Sequence, residues 1–388
     1  MKKASTNVGL LKESIFSEMT LKANQLGAIN LSQGFPDFDG PSFVKDYVTE
    51  AMKGPYNQYA PSSGALDLRS SLGAMYKNLY GLYYDSDKEI TITNGATEGL
   101  FCSFLALLDP GDEVILFEPY YDSYLASIQM VGAKAIPVTL RGPDFNLPID
   151  ELEKAFSEKT KLVVLNSPHN PTGKVFSKEE LLLLSKMIIK HDVFVISDEV
   201  YEFLTFDNHK HIPISSLPGM KERTIMISSA GKTFSFTGWK IGWCLASEAL
   251  TKAIRMVHQF NTFGAAHPLQ IAVSRAIDNI EDYIGSLSES YQKKRNILYE
   301  GLKKSELKPL LPEGTFFILC EIPLEKNKTD VEYCFELIES KKVAAIPPSA
   351  FYSRCPEEGQ KYVRFCFAKK DETLKSAMNN MLETSGSV

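Results

Sequence analysis

Residues 89–118 read EITITNGATEGLFCSFLALLDPGDEVILFE. A short β-rich run (89–93) is followed by a glycine turn, twelve residues at helical spacing (97–108) and a second apolar run, EVILFE (113–118). Two strands joined through a helix run parallel, because a hairpin needs only a short turn whereas a parallel pair needs a crossover. The alternation continues outward: KLVVLN (161–166), VFVIS (193–197) and TIMIS (224–228) are strand-like, and residues 120–131 and 178–190 have helical spacing. Strands that read as unbroken apolar runs are buried on both faces. The expectation is an α/β fold with a mostly parallel sheet covered by helices on both sides.

Beyond this region the pattern changes. A long helical stretch runs from 267 to about 304, followed by strand-like TFFILCEI (315–322), KVAAIPP (342–348) and YVRFCFA (362–368), with helical patterns at 330–340 and 371–382. This predicts a smaller α+β domain completed by the N-terminal segment folding back. The division is 45–280 for the large domain, and 1–44 with 281–388 for the small one. A length of 388 residues suits two to three domains.

A net charge of −6 provides no basic footprint for nucleic acid. The six cysteines form no CxxC pair, which suits reduced thiols rather than a disulfide or zinc framework. His209 and His211, the one close histidine pair, read as solvated loop residues and no metal site is expected. The N-terminal start lacks the apolar core of a signal peptide and no run approaches the ~20 residues of a membrane span. A cytoplasmic protein without membrane partners is the expectation.

Open α/β sheets bind ligands outside the carboxyl ends of their strands. Five such ends carry polar, glycine-rich or aromatic sequence: 94–97, 118–121, 166–171, 198–201 and 229–232. Gly231-Lys232-Thr233 is not a P-loop, because Met226 stands where the first glycine is required, and no G-x-G-x-x-G follows a strand. Ser229-x-x-Lys232 lacks the S-D-N and K-T-G partners of a serine acyl-transferase. Asp198 and Glu199, adjacent on an extended strand end, point to opposite faces and cannot share one substrate bond. What remains is a lysine, a carboxylate, a tyrosine and an asparagine from neighbouring strand ends. Pyridoxal phosphate asks for a lysine to form an imine, an acid for its ring nitrogen and a helix N-terminus for its dianion.

The blocks NSPHNPTGKVF (166–176), SDEVYEFL (197–204), SSAGKTFSFTGWKIGW (228–243) and YVRFCFA resemble those of the class I/II, fold-type I pyridoxal-phosphate aminotransferases. LSQGFPDFDGP (31–41), NQYAPSSGALDLR (57–69) and IPPSAFY (346–352) are similar to the kynurenine–oxoglutarate, glutamine and methionine aminotransferase group. The likeness extends from about Ile15 to the C-terminus, which leaves no room for the added DNA-binding domain of aminotransferase-like regulators.

The resemblance implies roles. Lys232 would bind pyridoxal 5'-phosphate covalently and carry the substrate proton, and Lys240 would be the point charge at the phosphate. Ser229 and the amides of Gly95, Ala96 and Thr97 would complete the phosphate site. Asp198 would face the pyridine nitrogen, Tyr201 and Asn170 the phenolic oxygen, and Tyr121 the ring face. Asn170-Pro171 resembles a cis peptide of the family. Arg364, in an otherwise apolar strand, would take the α-carboxylate beside Asn170 and the Gly34 backbone. Tyr59 would reach the phosphate of a second subunit, making a homodimer with a shared active site. Phe16, Tyr121 and Phe263 would line an apolar or aromatic pocket, suiting methionine, glutamine, aromatic amino acids or kynurenine as donor to a 2-oxo acid. The alternatives are a cysteine-conjugate β-lyase and an aspartate- or alanine-type aminotransferase.

Overall fold

The computed structural model of the chain describes Gly9 and residues 14–383, so the extreme ends of the expected small domain, 1–13 apart from Gly9 and 384–388, lie outside the described residues. The main sheet has seven strands: β1 (Ile90–Asn94), β2 (Glu113–Glu118), β3 (Lys134–Thr139), β4 (Thr160–Asn166), β5 (Phe194–Asp198), β6 (Thr224–Ser229) and β7 (Ile241–Leu245). Their order is β1-β7-β6-β5-β4-β2-β3. Strands β6, β5, β4, β2 and β3 pair in parallel, and β7 runs antiparallel to both its neighbours.

Alternation along the strands fills a core on each face. Ile115, Phe117, Val163, Leu165 and Val195 pack with Leu181, Leu184 and Ile188 of the helix Lys178–Lys190. Val114, Leu116, Val164, Ile196 and Ile225 face the other way, onto Leu100, Phe104 and Ile254. Each such side chain contributes about 1.5–3 kcal/mol by leaving water, which is why these strands read as continuous apolar runs.

Two strands of the sheet were not expected from sequence. KAIPVT carries Pro137, which demotes an internal strand but suits the sheet edge that β3 occupies. IGWCL forms β7, whose N-terminal end meets the C-terminal ends of β1 and β6, with Asn94 opposite Ile241 and Ser229 opposite Gly242. The helical stretch after His267 is two helices, His267–Ile277 and Ile280–Leu302. Asn279 breaks it by sending its side-chain amide back to the Arg275 carbonyl at 3.3 Å.

The C-terminal sheet is antiparallel, in the order β10 (Tyr362–Cys366), β9 (Phe317–Glu321) and β8 (Lys308–Pro309). The N-terminal segment folds back onto this region. Ile29–Asn30 pairs in parallel with Val343–Ala344, and the Cys366 amide donates to the Leu31 carbonyl at 2.8 Å. Gln33, Gly34 and Phe35 are thereby delivered to the carboxyl ends of the main sheet's strands. No helix among the described residues is long and apolar enough to cross a membrane, and the six thiols are unpaired.

Candidate active site

A cavity of about 330 Å³ opens at the carboxyl ends of the main sheet, within the usual range of ligand sites. Asn166, Asp198 and Ser229 reach it from β4, β5 and β6, and Phe317 and Arg364 from the C-terminal sheet. Phe16, Gln33, Gly34 and Phe35 close it from the N-terminal segment. Of the residues expected from sequence, Tyr59 and Phe263 do not line it.

At one end the helix Gly95–Leu107 begins. Its first amides have no intrahelical acceptor, and the helix dipole favours an anion there. Gly95 is left-handed at φ +75°, and a Cβ on it would lie 3.1 Å from the Lys240 Nζ. Gly242 is equally constrained, because a Cβ there would come within 2.5 Å of the Gly95 carbonyl carbon. The antiparallel course of β7 brings Lys240 to this end. Ser229 and Thr97 line the same end of the cavity.

At the floor, Asp198 is buried. Its Oδ2 accepts from Tyr124 Oη at 2.5 Å and its Oδ1 from the Val200 amide at 3.3 Å. Burial pushes its carboxyl up to about 6, and these hydrogen bonds and Lys232 only partly offset that. Asn166 donates to the Asp198 carbonyl at 2.9 Å and accepts from the Asn170 amide at 2.8 Å, tying two strand ends together. The Asn170–Pro171 peptide is cis. Tyr201 is buried with its ring edge-on to Phe316 at 5.0 Å, and burial raises its hydroxyl well above the ordinary value. Glu199 points away, onto His211 Nε2 at 2.6 Å, which bears out the opposed faces. His211 is therefore not a solvated loop residue: the carboxylate draws it inside, while His209 stays exposed.

The raised carboxyl has a measurable consequence. A carboxylic acid that holds its proton more tightly when folded contributes stability at low pH that is lost as pH rises through the folded value, here between about 4 and 6. A rise from 3.8 to about 6 is worth on the order of 3 kcal/mol. Asp198→Asn in cofactor-free protein is therefore expected to gain up to that amount at pH 7 and nothing below pH 4. Urea unfolding at the two pH values measures it, and a variant less stable than the parent at pH 7 would refute the account.

Lys232 lies in the four-residue helix Ala230–Thr233 that follows β6, half-buried, with Nζ donating to the Gly34 carbonyl at 3.1 Å. Burial lowers its pKa to about 8, helped by Arg364 and Lys240 and opposed by Cys366 and Asp198. About a tenth is then neutral amine, the nucleophilic form, at pH 7.

Arg364 is almost fully enclosed, at 1% exposure. Its guanidinium donates to Asn170 Oδ1 at 3.0 Å and the Ser32 carbonyl at 3.2 Å, and its Nε has no partner. Phe317 lies 3.9 Å from its Cζ, and Phe16 and Phe351 each 5.2 Å. Burial lowers its pKa to about 10. Among the described residues neither this guanidinium nor the Asp198 carboxyl of the same cavity forms an ion pair.

Tyr121 lines the cavity edge-on to Tyr124. Tyr59 is 87% exposed, its ring against Phe263 at 5.3 Å. Sequence reading missed Tyr124, Gln33 and Phe317, and placed Asn166 at a strand end without a role. Tyr124 could have been found, since it falls one helical turn after Tyr121 and so shares its face. Among the described residues, Glu98, Cys102 and His258 form a compact group of metal-ligand type. Hydrogen bonds account for it: His258 meets Glu98 at 2.6 Å through Nδ1 and the Ser62 carbonyl at 2.8 Å through Nε2.

The profile of the family described as "Aminotransferase class I and II" matches residues 27–381. Methionine aminotransferase of Escherichia coli is 40% identical over 96% of this chain and 96% of its own length. Human kynurenine–oxoglutarate transaminase 3 is 40% identical over 95% of this chain and 87% of its own. Among solved structures, an Escherichia coli protein identified as a methionine aminotransferase superposes with TM-score 0.95 at 39% identity, covering 98% of this chain and 100% of that one. N-succinyldiaminopimelate aminotransferase from Mycobacterium tuberculosis superposes with TM-score 0.94 at 38% identity, covering 98% and 99%.

Proposed function

The chain belongs to the class I and II aminotransferases, and from that premise we propose that its cavity binds pyridoxal 5'-phosphate and passes an amino group from an L-amino acid to a 2-oxo acid. The observation that carries this is the pair of unmet charges, Asp198 and Arg364, with Lys232 within electrostatic reach of both. A protonated ring nitrogen meets the first need and a substrate α-carboxylate the second. The Gly95 cradle under Lys240 fits a phosphate dianion.

When bound, pyridoxal phosphate supplies an aldehyde that captures the amine and a ring that takes up the electron pair left at Cα. The chain's residues do the rest. Lys232, neutral in part, takes the proton from Cα and returns it on the other side of the exchange. Asp198, drawn into its ionised form by a cationic partner, would keep the ring nitrogen protonated. Tyr201 and Asn170 would serve the phenolic oxygen and Tyr121 the ring. Gly95, Ala96 and Thr97 through their amides, with Ser229 and Lys240, would hold the phosphate. Arg364 grips the α-carboxylate by its planar fork, beside the Gly34 backbone.

Among the described residues, Lys232, Lys240 and Arg364 are the cationic side chains lining the cavity, and each has a role already, which disfavours a donor with a second carboxylate. Phe16, Phe35 and Phe317 favour an apolar or aromatic side chain. We assign methionine, glutamine, aromatic amino acids or kynurenine as donor. The β-lyase and aspartate- or alanine-type alternatives are not favoured. Titration with pyridoxal phosphate should produce a visible band that bleaches with methionine or phenylalanine and returns with a 2-oxo acid. Absence of any band would overturn the reading.

The assembly fitting this site is a homodimer. Exposed Leu105, Met256 and Phe260 form an apolar groove with Phe101, and Tyr59 and Phe263 also present apolar surface. Tyr59, outside its own cavity, would serve the partner's phosphate. A sedimentation mass of 43.3 kDa, one chain, would refute this. Unpaired thiols suit the cytoplasm; recovery of the native protein in an oxidised, disulfide-linked form would count against it.

A further inference from the structure

No step above uses Glu118, yet it is one of the most completely buried carboxylates in the chain, at 0% exposure. It ends β2, three residues before Tyr121. Its Oε1 accepts from Thr139 Oγ1 at 2.8 Å and the Cys355 amide at 3.0 Å. Its Oε2 accepts from the Ser353 amide at 2.8 Å, the Arg354 amide at 3.0 Å and Ser353 Oγ at 3.4 Å. Among the described residues no cation pairs with it, and the Arg354 guanidinium turns outward to Glu151 and the Pro137 carbonyl. Three consecutive amides converge on one carboxylate, the arrangement of an anion nest. Here the anion belongs to the main sheet and the nest to the segment entering the C-terminal sheet.

That segment carries Phe351. Its carbonyl accepts from the Tyr120 amide at 3.0 Å, and its ring lies 5.2 Å from the Arg364 Cζ and 5.7 Å from Phe16. The aromatic wall around the guanidinium is thus fixed at one end by Glu118. We propose that Glu118 is a positioning residue for substrate binding: its charge clamps residues 353–355 to the main sheet and so holds Phe351, and through it Phe16, against Arg364. An isolated buried carboxylate is expensive, and hydrogen bonds to the charged form are what make this one tolerable. Replacing it by an amide turns one acceptor into a donor facing amides that are themselves donors. The segment should then loosen.

The inference rests on Arg364 receiving the α-carboxylate. In pyridoxal-phosphate-loaded full-length protein, Glu118→Gln should raise KM for both the amino acid and the 2-oxo acid about tenfold or more, with kcat within about threefold and cofactor affinity unchanged. Hydrogen exchange at the amides of 353–355 should quicken in the same variant. Thr139→Val removes a hydrogen bond from the same carboxylate without touching the clamped segment, and should leave KM within about twofold. If Glu118→Gln does not fold, Phe351→Leu should raise KM about fivefold by removing the wall directly. Unchanged KM in Glu118→Gln, or in Phe351→Leu when that is the variant read, would overturn the proposal. So would a Thr139→Val effect as large as that of Glu118→Gln. If Arg364→Lys also leaves KM unchanged, the fault lies with the carboxylate assignment instead.

Discussion

Replacing Lys232 with alanine is expected to abolish transamination, lowering kcat by at least about four orders of magnitude. Proton transfer by a positioned group alone contributes about 10²–10⁴-fold, and the covalent capture that lysine provides adds to it. No neighbour can substitute: Lys240 is committed at Gly95, and Arg364 cannot shed its proton at working pH. The variant should still bind pyridoxal phosphate, because Asp198, Ser229, Lys240 and the helix N-terminus are untouched. Equilibrium dialysis of the cofactor beside single-turnover kinetics separates the two functions. Turnover within tenfold of the parent would remove Lys232 from the mechanism.

Arg364→Ala is expected to lower kcat/KM for both substrates by about 10²–10³-fold, in the range for losing one partner of a buried charged pair. The effect should fall mainly on KM, because the lost interaction is with a carboxylate that does not react. Arg364→Lys should recover little, since an ammonium cannot reproduce the fork beside Asn170 and Ser32. The same substitution should not destabilise the cofactor-free chain to a matching degree, because a buried cation without an anion is no asset to folding. A variant with unchanged KM for methionine and for its 2-oxo acid would transfer the role elsewhere.

The central strands were readable because burial on both faces forces apolar residues at every position, so EVILFE and KLVVLN carry their own signature. β3 and β7 carry weaker ones: Pro137 disguises an edge strand, and IGWCL lies inside a stretch dominated by its lysines. The site was legible through strand ends, where polar residues such as Asp198 and Asn170 interrupt apolar runs, and through Arg364, a charge among Val363 and Phe365. Residues reaching the cavity from elsewhere left fainter traces. Gln33 arrives on an N-terminal segment whose position depends on pairing with Val343–Ala344 some 300 residues away. His211 was misjudged because its polar neighbours predict solvent, whereas the buried Glu199 carboxylate supplies a reason to turn inward. Glu118 gave no signal beyond being polar at a strand end, since its partners are mainly backbone amides.

The antiparallel course of β7 limits how this protein can be altered. Lys232 leaves the carboxyl end of β6 and Lys240 returns the chain to β7, so the seven residues between them form a closed excursion whose two ends are fixed by the Ser229–Gly242 and Asn94–Ile241 pairings. One residue added or deleted there would either slide β7 by a position, turning Trp243 out of its own core and into the one on the opposite face that holds Cys244, or pull Lys240 off Gly95. Length in this stretch is thus as strictly determined as the identity of either lysine, and swapping it between relatives should succeed only when the number of residues is kept.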